Sequence, residues 1–310
     1  IKIMRRLLIL FLLSVAIVGC GVSKSSFSPS KKYSLQQVQK DYSVYHTLLE
    51  SHHPSLYWYN TKDSIDYFFS WGKQQLKDSM TEPEFRKVLA FVTAKINCGH
   101  TSVRSSKAWG KYNDTVRLGK MFPLSLKIWN DTAVVSINLN RKDSILKRGI
   151  LIIAINGKAI PVIVDTMFNY LSSDGYNKTH KYQSLSNRGF FGSIYTSLFG
   201  LSDKYVIEYK DSIGNIKNTS IPVYNPIADT PVRSGTRTIR SIPQPSKKER
   251  REQQINAVRL LKIDSANHPA MMALYCFARN YELQKVFSNV FAAQKKNNVN
   301  HLIIDVRGNG

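Results

Sequence analysis

The spacing of apolar residues changes near Gly99, from a helical period to a strand period. Upstream of it, apolar residues recur every three or four positions, which is typical of amphipathic helices. Downstream of it, apolar and polar residues alternate between turn sequences, which is typical of strands with one buried face. We therefore predict a multidomain α+β fold, with a helical N-terminal domain at residues 32–107 and a β-rich module at residues 115–225.

The helical region contains two capping boxes, in which side chains at the two ends of a helical turn satisfy each other's backbone N–H groups. Ser34 with Gln37 predicts one helix start, and Thr81 with Glu84 predicts another. A further helical pattern follows Asp63. These signals predict a small bundle of helices before Gly99.

Turn sequences divide the β-rich module into hairpins. Asn130-Asp131 separates two alternating segments, Asn156-Gly157 ends a run rich in β-branched residues, and Gly214 lies between two further segments. Asn and Gly are favoured in such turns because they tolerate positive φ angles. The module is therefore predicted to contain β-hairpins.

The segment 253–310 carries strand and helix patterns in alternation. Its last strand, HLIID at residues 301–305, is too apolar to have a solvent-facing side. Strand, helix and strand in this order predict a right-handed crossover onto a parallel sheet, and we expect only the start of a larger α/β domain here. The helix is predicted to face inward with Leu283, Val286, Phe287, Val290 and Phe291.

The first 20 residues are typical of a secretory signal. Two arginines precede an apolar run at residues 7–18, which is shorter than the about 20 residues that span a bilayer. The sequence IVGCG resembles a bacterial lipobox, in which the lipidated cysteine becomes the first mature residue. We predict lipidation of Cys20, a flexible tether at 21–31 and membrane anchoring in the bacterial cell envelope, facing the periplasm or the surface. A plain signal peptide is the alternative.

The formal net charge is +23, a basic excess that fits nucleic acid, anionic membranes or acidic substrates. The densest basic cluster contains Pro, Ser and Gly, so residues 226–252 are interpreted as a solvated linker. No nucleic-acid partner is predicted, because the signal sequence directs the chain out of the cytoplasm. Cys98 and Cys276 lie far apart, and no Cys or His spacing fits zinc, so neither a metal nor a cofactor is predicted.

The sequence DVRGNG begins with the last residue of the strand at 301–305. Catalytic groups and ligands gather at the carboxyl ends of parallel strands. Gly308 and Gly310 permit a tight turn whose N–H groups point outward, as an oxyanion or phosphate site requires. A plain strand-to-helix turn and a dinucleotide site are compatible with the same glycines.

LIIDVRGNG resembles the D-x-R-x-N-x-G-G signature of the S41 peptidases, the C-terminal processing or tail-specific serine proteases. KRGILIIAINGKAI is similar to the G-D-x-I-x-x-I-N-G stretch of the PDZ-like domain of that family, and INCGHT to a D-G-H-T element that precedes it. HHPSLYWY and MTEPEFRKVLA resemble the helical domain of lipoprotein homologues from Bacteroidetes-type bacteria. The motifs follow the family order, and the resemblance covers residues 35–310.

The resemblance implies a serine-type endopeptidase that hydrolyses unfolded or tagged polypeptides, with a crotonase/ClpP-like catalytic domain that begins within residues 253–310. Gly308 and Gly310 would line the oxyanion hole. Asp305, Arg307 and Asn309 would be structural residues of the site, and they match the D, R and N of the quoted signature.

The general base of this family is a lysine, or a histidine in some members. His100, within INCGHT, is a candidate base, because neutral imidazole accepts a hydroxyl proton near neutral pH. Anchoring of a loop through the ring nitrogens is the alternative role for His100. The nucleophilic serine is expected downstream of Gly310, so the 310-residue chain is expected to be inactive.

The PDZ-like resemblance implies that a peptide binds as an added strand, with its C-terminal carboxylate held by a loop of N–H groups. The stretch GKMFPLSL would contain this loop, with Lys120, Met121 and Phe122 as substrate-binding residues. In the alternative, the module only supports the catalytic domain. A non-catalytic peptide-binding or scaffold lipoprotein is the rival function for the whole chain.

Overall fold

A computed structural model describes residues 27–115, 119–130, 132–227, 245–263, 269–307 and 309. The predicted signal peptide with Cys20, most of the tether and linker residues 228–244 lie outside these ranges. The chain divides into two compact units, Ile1–Pro231 and Val232–Gly310, so the predicted helical domain and β-rich module fall within a single unit. No helix within the described ranges combines the length and apolar content that crossing a lipid bilayer requires.

The N-terminal part of the first unit is helical, with α1 (Leu35–His52), α2 (Lys62–Gln74), α3 (Glu82–Ala94) and α4 (Lys107–Thr115). Ser34 Oγ accepts a hydrogen bond from the N–H of Gln37, and the Gln37 side chain accepts one from the N–H of Ser34. The Glu84 carboxylate accepts one from the N–H of Thr81 at 2.8 Å. The predicted helix starts are therefore confirmed, because both caps satisfy N–H groups that a helix leaves free.

Two short strands, β1 (Lys32–Tyr33) and β2 (Met80–Thr81), pair antiparallel and hold the start of α1 beside the start of α3. The inner face of α1 is buried as its periodicity predicts, with Val38 and Tyr42 2% and 3% exposed. The Tyr42 hydroxyl donates to the carbonyl of Phe69 at 2.8 Å, which ties α1 to α2.

The C-terminal part of the first unit contains the strands β3 (Leu124–Trp129), β4 (Thr132–Asn138), β5 (Leu151–Ile155), β6 (Lys158–Ala159), β7 (Lys204–Lys210) and β8 (Ile216–Pro222). They form one antiparallel sheet in the order β3-β4-β5-β7-β8, with β6 paired to β5. Asn130, Asn156, Gly157 and Gly214 all have positive φ. The three predicted turns are therefore confirmed as hairpin connections.

One face of this sheet is covered by α5 (Ile160–Phe168), α6 (Lys178–Leu185) and α7 (Phe190–Phe199). Along β7, Tyr205 and Ile207 are fully buried whereas Val206 is 46% exposed. Phe191 of α7 lies in the same core, with its ring centroid 5.7 Å from that of Phe122. The alternation therefore separates a core face from a solvent face, as expected for an antiparallel sheet.

Hydrogen bonds join the helical part to the sheet part of the first unit. The Lys95 ammonium donates to the Asn169 side-chain oxygen at 2.7 Å. The N–H of Gly175 donates to the carbonyl of Asn97 at 2.8 Å. These contacts connect the segment after α3 with the segments that follow α5, which explains why the two predicted domains form one compact unit.

The described part of the second unit contains α8 (Lys247–Ala257), β9 (Arg259–Ile263), β10 (Pro269–Leu274), α9 (Leu283–Lys296) and β11 (His301–Asp305). β10 pairs antiparallel with β9 and parallel with β11. The predicted order of strand, helix and strand, with parallel pairing of the two strands, is therefore confirmed. Met272 and Leu274 of β10 pack against Val286 and Val290 of α9.

Two expectations about burial in the second unit are wrong. Phe291, predicted to face inward, is 59% exposed, because α9 meets the described strands with Val286 and Val290 instead. Ile303 and Ile304 are each 55% exposed, so β11 does have a solvent-facing side. Within the described residues, β11 is an edge strand that pairs only with β10.

The basic linker extends less far than the composition predicts. Residues 247–252 were assigned to the linker, but they form the first part of α8. Ser246 caps this helix, since its hydroxyl accepts from the N–H of Glu249 and its N–H donates to the Glu249 carboxylate. A capping box therefore starts a helix inside a segment whose composition suggested only solvation.

Candidate active site

The turn after β11 lies at the carboxyl end of a parallel pair of strands. Asp305 is the last residue of β11 and is in register with Ala273 of β10, one residue before that strand ends at Leu274. Ala273 and Leu274 are 1% and 2% exposed, so the neighbouring strand end is held in the core. The residues that follow Asp305 therefore start from a fixed position, as a catalytic turn requires.

Arg307 and Asp305 form a two-pronged ion pair across this turn. The Arg307 Nε donates to Asp305 Oδ1 at 2.9 Å, and a terminal guanidinium nitrogen donates to Oδ2 at 2.6 Å. The Arg307 N–H also donates to Oδ1 at 2.9 Å. The Asp305 side chain is 12% exposed, and these hydrogen bonds from Arg307 lower the pKa of Asp305 to about 2. The carboxylate is therefore ionised at neutral pH and holds the backbone of the turn.

Asn309 attaches the far side of the turn to the neighbouring strand. Its side-chain amide donates to the carbonyl of Leu274 at 3.0 Å, and its N–H donates to the carbonyl of Val306 at 3.1 Å. The N–H groups of Arg307 and Asn309 are thus both used inside the turn. Gly308 and Gly310, the predicted oxyanion-hole residues, lie outside the described residues, and their role stays a prediction.

His100 lies in the first unit, in the loop between α3 and α4. The N–H of Gly99 donates to Asp174 Oδ1 at 2.7 Å, and the N–H of Thr101 donates to the carbonyl of Cys98 at 3.1 Å. A Cβ atom at position 99 would come within 3.2 Å of the Asp174 carboxylate, so a glycine suits this close approach. The His100 side chain is exposed, and its role as a base stays a prediction.

The histidine that anchors this loop is His53, not His100. His53 Nδ1 accepts a hydrogen bond from the N–H of Ser55, so Nε2 carries the proton and donates to the Thr101 hydroxyl at 2.8 Å. Burial lowers the pKa of His53, which favours this neutral form. No local pattern in the sequence signals the contact, because His53 and Thr101 are 48 residues apart.

The three residues predicted to bind a peptide carboxylate already have partners in the first unit. The Lys120 ammonium pairs with Asp203 at 3.0 Å. Met121 exchanges two backbone hydrogen bonds with Tyr224, and Phe122 is 4% exposed in the core. The Phe122 side chain is therefore a core residue. Carboxylate binding at this segment stays a prediction, and it would require Lys120 to leave Asp203.

A cavity of about 420 Å³ lies beside the loop that carries His100. Gly99 and Ser102 of the loop line it together with Arg86 and Lys87 of α3 and His180 of α6. His100 is not one of the lining residues. Hydroxyl groups, two cationic side chains and apolar side chains such as Ile194 and Leu198 line it together.

Three of the predicted site residues, all in the second unit, lie together in the structure. Asp305, Arg307 and Asn309 form one hydrogen-bonded group around the end of β11. His100 and Lys120 belong to the first unit, where Lys120 pairs with Asp203. Among the described residues, no group of three or more His, Cys, Asp or Glu side chains is placed to hold a metal ion.

No protein-family model matches the chain, and no curated protein matches it. Solved structures of CPAF, a chlamydial serine protease of the tail-specific protease fold class, are structurally similar to it. Mature CPAF gives a TM-score of 0.49 at 12% identity, its complex with lactacystin 0.48 at 11%, and a point mutant 0.49 at 10%.

The similarity to CPAF covers 87% of this chain, and the chain spans 55 to 56% of the length of those solved chains. With TM-scores below 0.5, the similarity contributes no argument about the site or its chemistry. The candidate site is the turn after β11, with Asp305, Arg307 and Asn309.

Proposed function

We propose that this chain is part of a membrane-anchored serine endopeptidase of the C-terminal processing type. The turn after β11 is the oxyanion-binding element of this enzyme. Its substrates are unfolded or tagged polypeptides, and Cys20 carries the lipid that holds it in the cell envelope. The lipobox-like sequence around Cys20 and the ordered motifs from residue 35 onward support this proposal.

The observation that carries the proposal is the set of hydrogen bonds around the turn. The Asp305 carboxylate accepts hydrogen bonds from the N–H and the guanidinium of Arg307. The Asn309 side chain donates to the carbonyl of Leu274. Oxyanion stabilisation is effective when donors are already oriented before the reaction, because no reorganisation is then needed in the transition state. A turn attached on both sides meets this requirement, and glycines at 308 and 310 would add main-chain N–H groups without side chains in the way.

The proposal places the nucleophilic serine outside the 310 residues. The base is either a lysine, also outside these residues, or His100. The 310-residue chain alone is therefore expected to cleave no peptide. Cleavage by this chain that is abolished by His100→Ala would contradict the placement of the nucleophile.

The test uses the full-length gene product and a fluorophosphonate probe, which forms a bond between phosphorus and an activated serine oxygen while fluoride leaves. We expect one serine to be labelled, and mass spectrometry to locate it C-terminal to Gly310. A full-length product in which no serine reacts would overturn the peptidase proposal and favour the peptide-binding lipoprotein.

Asn309→Ala tests the role of the turn. This substitution removes the amide that attaches the turn to Leu274, and displacement of an oxyanion donor by about 1 Å costs about 100-fold in rate. Asn218→Ala is the matched control, because Asn218 is an exposed residue of β8. Equal labelling rates for the two variants would show that the turn is not part of the reactive site.

A further inference from the structure

A cleft of about 370 Å³ in the first unit lies where the end of α3 meets α5 and the start of α6. It is separate from the cavity beside the His100 loop, and its volume lies within the range of small-ligand sites, about 300 to 1,000 Å³. The charged residues that line it are Lys95, Asp165, Lys178 and Lys181, and the neutral polar ones include Asn97, Asn169, Ser173 and Tyr176.

Three lysines face this cleft, and neutral oxygens are the hydrogen-bond partners of two of them. Lys181 donates to the carbonyl of Phe168 at 3.0 Å, and Lys95 donates to the side-chain oxygen of Asn169 at 2.7 Å. Within the described residues, none of the three lysines forms an ion pair with a carboxylate. The cleft therefore holds three cations and the single carboxylate of Asp165.

The charges of Lys95 and Lys178 act on Lys181. Burial lowers the pKa of Lys95. Burial also lowers the pKa of Lys181, and the positive charges of Lys95 and Lys178 lower it further. An anion in the cleft would relieve this repulsion, because an opposite charge favours the protonated lysine.

A buried hydroxyl adds a hydrogen-bond donor to the cleft. Ser173 is 1% exposed and lines the cleft. At the start of α6 the N–H groups of Thr179 and His180 already donate to the Asn177 side chain. Direct contacts to an anion would therefore come from the lysines and from Ser173.

We propose that this cleft binds a phosphate monoester, with Lys95, Lys178 and Lys181 as its cationic ligands and Ser173 as a hydroxyl donor. A dianionic group matches a site with several cations and one carboxylate, and lysine binds phosphate as a compact point charge. The cleft is larger than a phosphate group alone, which leaves room for the esterified part of the ligand. The ester is either soluble or the headgroup of a lipid, and the chemistry of recognition is the same.

The test is titration of the 310-residue chain with glycerol 3-phosphate by calorimetry, and with vesicles that contain phosphatidic acid by co-sedimentation. Vesicles of phosphatidylcholine alone are the control. Saturable binding of glycerol 3-phosphate identifies a soluble ligand, and binding only to phosphatidic acid vesicles identifies a lipid. Absence of binding in both experiments would overturn the proposal.

Substitutions of the lysines test whether the phosphate monoester binds in the cleft. Lys178→Gln and Lys181→Gln are each expected to weaken binding about tenfold, the usual effect of losing one charged hydrogen bond. Lys210→Gln, at an exposed end of β7, is the matched control and should bind as the unaltered chain does. Equal weakening in all three variants would show that binding depends on overall charge and would overturn the proposed site.

Asp165→Asn separates loss of binding from loss of folding. Asp165 is exposed and contributes the only carboxylate in the cleft. Its removal is expected to tighten binding of the phosphate monoester, a gain that a misfolded chain would not produce. Unchanged or weaker binding in this variant would contradict an anion site at this position.

Discussion

The side-chain amide of Asn309 donates to the carbonyl of Leu274 at 3.0 Å, across two parallel strands of the second unit. Leu274 ends β10, and Asn309 lies in the turn that follows β11. The hydrogen bond therefore connects the carboxyl ends of two neighbouring strands, the edge at which α/β folds collect their functional groups. It gives the proposed oxyanion-binding turn a support outside its own sequence.

The ion pair in the same turn predicts an acid-sensitive site. The folded pKa of Asp305 is about 2, below the ordinary value of about 3.9. The ionised carboxylate therefore stabilises the turn fully above about pH 4, and this contribution is lost as the pH falls toward 2. Titration of the side-chain carboxyl by NMR measures this directly. Arg307→Gln should raise the pKa of Asp305, because it removes the largest cause of the shift.

An unaltered chain in which Asp305 titrates at the ordinary value would contradict the ion pair. So would an Arg307→Gln variant with an unchanged titration. The N–H of residue 307 still donates to Asp305 in that variant, so the pKa should remain slightly below the ordinary range.

His53 predicts a second pH dependence, that of the stability of the first unit. A histidine paired with a carboxylate stabilises the folded chain as the pH falls, whereas His53 should destabilise it. Its pKa is lowered by burial, so the unfolded chain binds a proton more readily than the folded chain does. The free energy of unfolding of the first unit should therefore fall as the pH decreases below about 6.5. Urea unfolding between about pH 5 and 7 measures it, and His53→Gln should flatten the dependence.

Thr101→Val provides the matched comparison for His53. It keeps the imidazole but removes the hydroxyl that accepts the Nε2 proton at 2.8 Å. We expect a loss of about 1 kcal/mol in the free energy of unfolding, with the pH dependence retained. A pH-independent stability in this variant would show that the contact with Thr101, and not burial, lowers the pKa of His53.

The contact between α1, α2 and α3 predicts opposite effects for two glycine-to-alanine substitutions. A Cβ atom on Gly72 would overlap the Tyr42 hydroxyl and come within 2.7 Å of a Val92 methyl group. Gly72→Ala should therefore destabilise the first unit by about 1 kcal/mol, since overpacking outweighs the gain in helix propensity. Gly110→Ala in α4, where no atom lies within 4 Å, should stabilise it by up to about 1 kcal/mol. Thermal unfolding of both variants provides the measurement, and two shifts of the same sign would refute the packing.

The exposed edge of the second unit predicts self-association of the 310-residue chain. Ile303 and Ile304 of β11 are each 55% exposed, and Val306 is 49% exposed. Unpaired edge strands with apolar side chains pair with other chains, and a charge on the edge opposes this. Ile303→Lys should therefore reduce the associated fraction in sedimentation velocity. Ile213→Lys, in the turn between β7 and β8, should not, and a chain that is monomeric at every concentration would contradict the prediction.

Local signals account for the features that could be predicted. The capping box at Ser34, the hairpin turn at Asn156-Gly157 and the strand pattern of HLIID each depend on residues close in sequence. Composition was less informative than such signals, since a basic segment rich in Lys, Arg and Glu also begins α8. The helices α6 and α7 were not predicted, because the first is short and polar and the second is rich in aromatic residues that favour strands as much as helices.

For elements marked by a cap, a turn or a regular period, the amino-acid sequence was sufficient, because these signals act over a few residues and hardly depend on the rest of the chain. Contacts between elements required the folded chain. His53 reaches Thr101 across 48 residues, Gly99 reaches Asp174 across 75, and Asn309 reaches Leu274 across 35. Periodicity identifies which face of a helix or strand is apolar, but packing selects the surface that this face meets, and with it the polar groups that come within hydrogen-bonding distance.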